Sequence, residues 1–177
     1  MVRVAGFEKE SVTDGTGVRY TIFMQGCKHN CPGCHNTSTH SFEGGTLVSI
    51  DEIMKDIIIR DKEDILDGVT LSGGDPIHQV DKCIELTSRI KNETKLNIWV
   101  YTGFTYEELL EDKQVSKLLR NIDVLVDGRY EQDKRCLELK FRGSYNQRVI
   151  DVQKSLACGK TILIETGDII ENSMRNK

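Results

Sequence analysis

The chain alternates short apolar runs with longer segments in which apolar residues recur at helical spacing. Five runs are rich in β-branched and aromatic residues and are predicted to be strands: residues 19–25, 68–72, 97–101, 123–127 and 148–152. Most of these runs are too apolar for a strand with one solvated face. The pattern is typical of a parallel sheet that is covered by helices.

The segments between these strands carry signals for helix starts. Two capping boxes, in which a hydroxyl residue precedes a glutamate by three positions, are Ser49 with Glu52 and Thr105 with Glu108. The second box precedes an apolar pattern that extends to Leu118. Asp75 before Pro76 supplies a cap residue and a first-turn proline for a further helix. Strands and helices in alternation predict right-handed βαβ units.

Length sharpens this picture. The chain has 177 residues, 38% hydrophobic and 29% charged, which is ordinary for one globular domain. A complete eightfold βα barrel needs about 250 residues, so we expect an α/β fold in the form of a partial, open (βα) barrel of about five parallel strands. Residues 1–165 are predicted to form this domain, and residues 166–177 a polar C-terminal tail that need not be ordered.

Charge and hydropathy exclude several partners. The formal net charge of -4 disfavours binding to duplex nucleic acid, which needs concentrated lysine and arginine. The apolar runs fall far short of the roughly 18–20 residues that cross a bilayer, and the first ten residues hold no signal-peptide core. We therefore expect a cytoplasmic protein without a membrane partner. In that reducing compartment, cysteines more often bind metals than form disulfides.

Three cysteines crowd together directly after the first predicted strand. Cys27, Cys31 and Cys34 are soft ligands that suit an iron–sulfur cluster, zinc or copper. On a 4Fe–4S cluster they would leave one iron open to a small molecule. Zinc could instead take the three thiolates together with His29 or His35 as a closed site. A third alternative is a trio of buried cysteines without a metal.

The wider context of the cysteines carries a family resemblance. The spacing Cys27-x3-Cys31-x2-Cys34 resembles the cluster motif of the radical S-adenosylmethionine (radical SAM) enzymes. Further motifs follow in order at residues 14–19, 23–26, 71–76, 99–103, 121–128 and 142–147. Over residues 12–152 the chain is similar to the activating enzymes of glycyl-radical proteins, in particular those of anaerobic ribonucleoside-triphosphate reductase.

This resemblance implies an activity, cofactors and a set of site residues. It implies a radical SAM enzyme that reductively cleaves S-adenosylmethionine (SAM) and uses the 5′-deoxyadenosyl radical to make a glycyl radical on the reductase. It implies a 4Fe–4S cluster on Cys27, Cys31 and Cys34, and an external electron donor such as flavodoxin. The residues that it places against SAM are Gly33, Cys34, His35, Gly73, Gly74 and Asp75.

Several residues have two open roles. Asp75 could accept hydrogen bonds from the SAM ammonium group, cap a helix, or do both. Arg19, Arg142 and Asn146 are candidates for the cofactor carboxylate or for docking the partner. His29 is expected to be solvated.

Two alternatives to this function stay open at the level of sequence. One is an activating enzyme for another glycyl-radical protein, such as pyruvate formate-lyase. The other is a zinc-stabilised binding module, which would need only the cysteines and a histidine. If the chain is a radical SAM activating enzyme, its small number of βα units predicts a barrel that is open along one side. A glycine-bearing loop of a protein substrate could approach the cluster through that gap.

Overall fold

A computed structural model describes residues 1–168 and has a mixed sheet at its centre. Its strands are β1 (Val2–Ser11), β2 (Arg19–Met24), β3 (Thr46–Val48), β4 (Gly68–Gly73), β5 (Asn97–Tyr101), β6 (Val124–Asp127) and β7 (Arg148–Asp151). They lie side by side in the order β3-β1-β2-β4-β5-β6-β7. The helices are α1 (Ile50–Lys62), α2 (Val80–Glu93), α3 (Tyr106–Glu111), α4 (Val115–Leu119) and α5 (Val152–Cys158).

Four central strands, β2, β4, β5 and β6, run parallel to one another. Their residues are almost entirely buried, which explains the continuous apolar runs in the sequence. Because the strands are parallel, their carboxyl ends lie at the same edge of the sheet. The loops that follow β2, β4, β5 and β6 therefore meet at that edge.

The outer strands of the sheet differ from the expectation. The segment at 148–151 was expected to be parallel, but β7 pairs antiparallel with β6. The connection 128–147 holds a short 3₁₀ turn, Gln132–Lys134, and an isolated antiparallel bridge between Arg135 and Ser144, but no crossover helix, which a parallel pairing would need. β1 and β3, which are also antiparallel, have no counterpart in the predicted strands. No pairing within residues 1–168 joins β3 to β7, and the partial barrel stays a prediction.

Both predicted capping boxes are confirmed. Ser49 Oγ accepts from the amide of Asp51 at 3.1 Å and Glu52 bonds back to the Ser49 amide, so α1 starts as predicted. Thr105 and Glu108 do the same for α3. The helical pattern after Thr105 is divided into α3 and α4, because the backbone is extended at Asp112, whose carboxylate accepts from the amides of Gln114 and Val115.

The start of the predicted tail is attached to the domain. Asp168 is fully buried: one carboxylate oxygen accepts from the Lys140 amide at 2.8 Å, and the other pairs with Arg142. Burial alone would raise the pKa of Asp168, but these donors hold it below its ordinary value. Residues 169–177, most of the predicted tail, lie outside the described residues. No helix among residues 1–168 is long and apolar enough to cross a membrane.

Candidate functional site

The loop after β2 holds the three clustered cysteines and is tied down by its own backbone. The amide of Gly26 donates to the carbonyl of Thr39 at 2.8 Å, and that of Cys27 to the carbonyl of His40 at 3.1 Å. A turn closed by the Cys34 amide on the Cys31 carbonyl, at 3.1 Å, brings the second and third cysteines together. The loop thus folds back on itself around its cysteines.

The three thiols share one cavity of about 140 Å³ at the carboxyl edge of the parallel strands. Gly73 and Gly74 at the end of β4 line the same cavity, as do Thr102, Gly103 and Gly128 after β5 and β6. The structure therefore brings the predicted ligands and the predicted glycine turn together. This is the edge at which parallel α/β proteins place their ligands.

The donor set of this cavity fits an iron–sulfur cluster. Thiolates are the ligands that such clusters take, and three of them lie around the common space. Burial raises the pKa of the Cys27 and Cys31 thiols, so a bound metal would be needed to hold them as thiolates at neutral pH. A single ion such as zinc needs its ligands closer together than a cluster does. Among residues 1–168, no three histidine, cysteine or carboxylate side chains are grouped tightly enough to hold one such ion.

The glycine turn could not be built from other residues. A Cβ at Gly73, where φ is +95°, would lie 2.6 Å from the Met24 amide nitrogen, and one at Gly74 would lie 2.5 Å from the Gly26 carbonyl oxygen. The turn is held against the cysteine loop by the Gly74 amide on Met24 and by the Asp75 amide on Gly26. Bare backbone therefore faces the cavity.

The cysteine turn also contains a position, Gly33, that only glycine fits. Its φ is +72°, in the left-handed region that favours glycine, and a Cβ there would overlap the Gln132 side chain of the loop 128–147. Two residues on, His35 is exposed, and its ring lies 5.4 Å from that of Tyr130 in the same loop. The loop after β6 thus packs over the turn that holds Cys34.

Asp75 lies behind the cavity wall. Its fully buried carboxylate accepts hydrogen bonds from the Ile77 amide, the Thr102 hydroxyl, the Gly103 amide and the His29 ring. The cap role expected of this residue is present, although Asp75 caps a 3₁₀ turn, Pro76–Gln79, that leads into α2 rather than α2 itself. Its side chain does not line the cysteine cavity, so contact with SAM by this carboxylate stays a prediction that the geometry does not favour.

His29 is not solvated, which corrects the expectation from sequence. Its side chain is only 5% exposed, with Nε2 2.7 Å from Asp75 Oδ2. The ring packs edge-on against Phe104, with 4.5 Å between centroids, and stacks on His78 at 5.7 Å. Sequence reasoning missed this because its partners lie 46 and more positions away along the chain.

A second, larger cavity adjoins the first. It has a volume of about 370 Å³ and shares Cys34, Asn36, Ser72, Tyr101, Tyr130 and Gln147 with the cysteine cavity. His35, Asp14 and Arg142 line it as well. Asp14 was not among the site residues expected from sequence, although it lies within one of the motifs that carry the family resemblance. Burial raises the pKa of Tyr101 above its ordinary value, so the phenol stays protonated.

Arg19 has a different role from the one expected. It is fully buried at the amino end of β2, where its guanidinium donates to Thr70 Oγ1, to both oxygens of Asn97 and to two further carbonyls. Desolvation lowers its pKa to about 10. Arg19 therefore cannot dock a partner, and its donors are taken by the protein. Asn146 donates to the carbonyl of Arg129 at 2.7 Å.

Known proteins are similar in sequence to most of this chain. Residues 13–150 match the family model of the 4Fe-4S single cluster domain. The chain is 42% identical over 142 residues, 77% of it and 89% of the relative, to the anaerobic ribonucleoside-triphosphate reductase-activating protein of Haemophilus influenzae. Its identity to the protein of that name is 41% over 145 residues in Escherichia coli K12, with 78% and 91% covered, and 34% over 139 residues in Enterobacteria phage T4, with 77% and 85% covered.

Proposed function

The chain belongs to the family of anaerobic ribonucleoside-triphosphate reductase-activating proteins, and on that premise we propose that it is a radical SAM enzyme that generates a glycyl radical on this reductase. The observation that carries the proposal is the cavity in which Cys27, Cys31 and Cys34 face the Gly73–Gly74 turn. A ligand set for a cluster and bare backbone for a small cofactor thereby lie side by side.

The cofactors supply the reaction that no side chain here could perform. When bound, a reduced 4Fe–4S cluster and SAM supply a 5′-deoxyadenosyl radical, which removes a hydrogen atom from the Cα of a glycine. Cys27, Cys31 and Cys34 would hold the cluster and leave one iron without a protein ligand. This arrangement uses all three thiols that line the cavity.

The protein orients SAM with backbone more than with charge. The carbonyls of Gly73 and Gly74 would accept from the ammonium group, and neither residue has a side chain that would cover the backbone there. The adjoining cavity of about 370 Å³ offers space for the rest of the molecule beside Cys34 and His35. Asp75 acts on SAM by holding this turn in place rather than by contacting the cofactor.

In this proposal the substrate is another protein, and the open edges of the sheet support a lateral approach of that protein to the site. The edge strands β3 and β7 are not paired with each other in residues 1–168, so the sheet does not enclose the site. A glycine-bearing loop of the reductase would enter beside the loop 128–147, which lines both cavities. The electron for SAM cleavage would come from an external donor such as flavodoxin.

Anaerobic reconstitution tests this proposal. The purified protein should bind four irons and four sulfides, show thiolate-to-iron absorbance in the visible range, and convert SAM to 5′-deoxyadenosine and methionine when dithionite is added. Cys31→Ala should lose all three properties, whereas Cys158→Ala, which removes an exposed cysteine far along the chain, should keep them. A colourless protein with stoichiometric zinc and no SAM cleavage would support the binding-module alternative instead.

A further inference from the structure

We propose that His29 and His78 are positioning residues that hold the cysteine loop for its cluster, an inference that rests on the proposed function. Together with Asp75 they form what we call the histidine clamp. His29 belongs to the loop itself, between Cys27 and Cys31, whereas Asp75 and His78 belong to the segment that opens α2. The clamp therefore joins the ligand loop to the helix behind the glycine turn.

The first arm of the clamp is the pair His29–Asp75. Nε2 of His29 lies 2.7 Å from Asp75 Oδ2, and both side chains are withdrawn from solvent, at 5% and 0% exposure. The same carboxylate is fixed by the Thr102 hydroxyl and the Gly103 amide after β5. A loop side chain is thus bonded to a carboxylate that two other elements hold still.

The second arm acts on the backbone next to the first cysteine. The amide of Lys28 donates to Nε2 of His78 at 3.0 Å. This bond requires an acceptor at Nε2, and desolvation lowers the pKa of His78, which agrees with a neutral ring. The rings of His29 and His78 stack at 5.7 Å, so the two arms also support each other.

The packing around the clamp leaves little freedom. Phe104 lies 4.5 Å from the His29 ring and 5.8 Å from the His78 ring, measured between centroids. A Cβ at Gly103 would lie 2.5 Å from Cδ2 of His29, so only glycine lets the ring approach this strand end. The clamp therefore fixes both residues that follow Cys27, Lys28 through its backbone and His29 through its ring.

This position gives the clamp an effect on the cluster. Groups that orient metal ligands without touching the metal typically change metal affinity or activity by about 10- to 100-fold when they are replaced. Here the two arms hold the short segment between two ligands, so losing either one frees the Cys27 and Cys31 thiolates to move. We expect faster loss of iron and a changed electron paramagnetic resonance (EPR) signal of the reduced cluster.

Two kinds of substitution separate hydrogen bonding from packing. His29→Phe and His78→Phe keep an aromatic ring but remove the bonds to Asp75 and Lys28. His29→Gln and His78→Gln keep a group that can donate to Asp75 or accept from the Lys28 amide. His40→Phe is the matched control, because the Cys27 amide bonds to the backbone carbonyl of His40, which this substitution keeps.

The measurement is the rate of iron transfer from reconstituted protein to a chelator, together with the EPR spectrum and the melting temperature of each apo-protein. Both Phe variants should lose iron at least about tenfold faster than wild type and show altered spectra, whereas the Gln variants and the control should stay close to wild type. Phe variants that keep wild-type iron retention, or Gln variants as impaired as the Phe variants, would overturn the proposal. So would Phe variants that do not fold, since the contacts would then serve the fold alone. If wild type itself binds no cluster, the proposed function fails first.

Discussion

The side-chain amide of Asn36 donates to the carbonyl oxygen of Gly73 over 3.3 Å. Asn36 follows Cys34 by two residues, and the backbone amide nitrogen of Asn36 lies 3.4 Å from the Cys34 sulfur. One residue thus connects the last of the three cysteines to the glycine turn. Since a carbonyl oxygen has two lone pairs, Gly73 can accept from Asn36 and from a cofactor at once.

Asn36→Ala should weaken SAM binding without unfolding the protein. Losing one hydrogen bond that orients the turn costs about 1 kcal/mol, which corresponds to about a fivefold rise in the KM for SAM. The rate of 5′-deoxyadenosine formation at varied SAM concentration measures this effect. Asn92→Ala, at an exposed position of α2, is the control and should leave the KM unchanged. An unchanged KM for Asn36→Ala would show that the contact does not orient the turn.

Gly74→Ala should damage both the fold and SAM binding. Its Cβ would lie 2.5 Å from the Gly26 carbonyl oxygen, which is backbone and cannot rotate away. Overpacking of this kind costs about 1–3 kcal/mol, which should lower the melting temperature by about 2–4 °C per kcal/mol. Gly6→Ala, where a new Cβ meets nothing within 4 Å, should change neither property. Equal melting temperatures for the two variants would contradict this account of the turn.

Arg19→Lys should destabilise the protein even though it keeps the charge. The guanidinium of Arg19 uses its planar fork to reach Thr70, Asn97 and backbone carbonyls, and it lies 5.4 Å from the Trp99 ring centre. An ammonium group cannot satisfy all of these acceptors, and each buried acceptor left unpaired costs about 1–3 kcal/mol. Urea unfolding measures the loss.

The exposed Arg120→Lys is the control for that experiment and should be neutral. The KM for SAM of the folded Arg19→Lys protein should equal that of wild type, because Arg19 lies at the amino end of the strands. A raised KM with unchanged stability would instead return Arg19 to the cofactor site.

Glu107→Gln should make the free energy of unfolding depend less on pH in the acid range. The hydrogen bond from Arg148 lowers the pKa of Glu107 to about 2, from an ordinary value of 4.5. A carboxylate with a depressed pKa stabilises the fold above pH 4.5 and loses that contribution as the pH falls toward 2. The effect should be small, because the Glu107 side chain is 54% exposed.

Urea midpoints measured between pH 6 and pH 2 test this linkage. The difference between wild type and Glu107→Gln should be present near neutral pH and shrink as the pH falls. Glu111→Gln, at the end of the same helix, should follow the wild-type curve throughout. A difference that grows on acidification has the opposite sign and would contradict the linkage.

Local sequence signals predicted the parts of the fold that depend on neighbours in the chain. The Ser49–Glu52 and Thr105–Glu108 boxes act over three residues, and both form as predicted. The direction of β7 was not predictable in this way, because it depends on how the long connection 128–147 packs over the site. An apolar run looks the same whether its strand is parallel or antiparallel.

The site shows the same division. The cysteine spacing and the Gly73–Gly74 pair were sufficient to predict that these residues meet, since the cysteines follow β2 and the glycine pair lies at the end of β4. The roles of His29 and Arg19 were not accessible, because their partners, Asp75 and Asn97, are 46 and 78 residues away. A lone histidine or arginine carries no sign of such a partner in its own sequence neighbourhood.

The central claim is that this protein makes a glycyl radical on anaerobic ribonucleoside-triphosphate reductase. EPR spectroscopy of the reductase, after anaerobic incubation with the reconstituted protein, SAM and a reductant, tests it most directly. The account predicts a glycyl radical signal on the reductase with wild type and Cys158→Ala, none with Cys31→Ala, and none when pyruvate formate-lyase replaces the reductase. A signal on the lyase but not on the reductase, or no signal on either while SAM is cleaved, would contradict it.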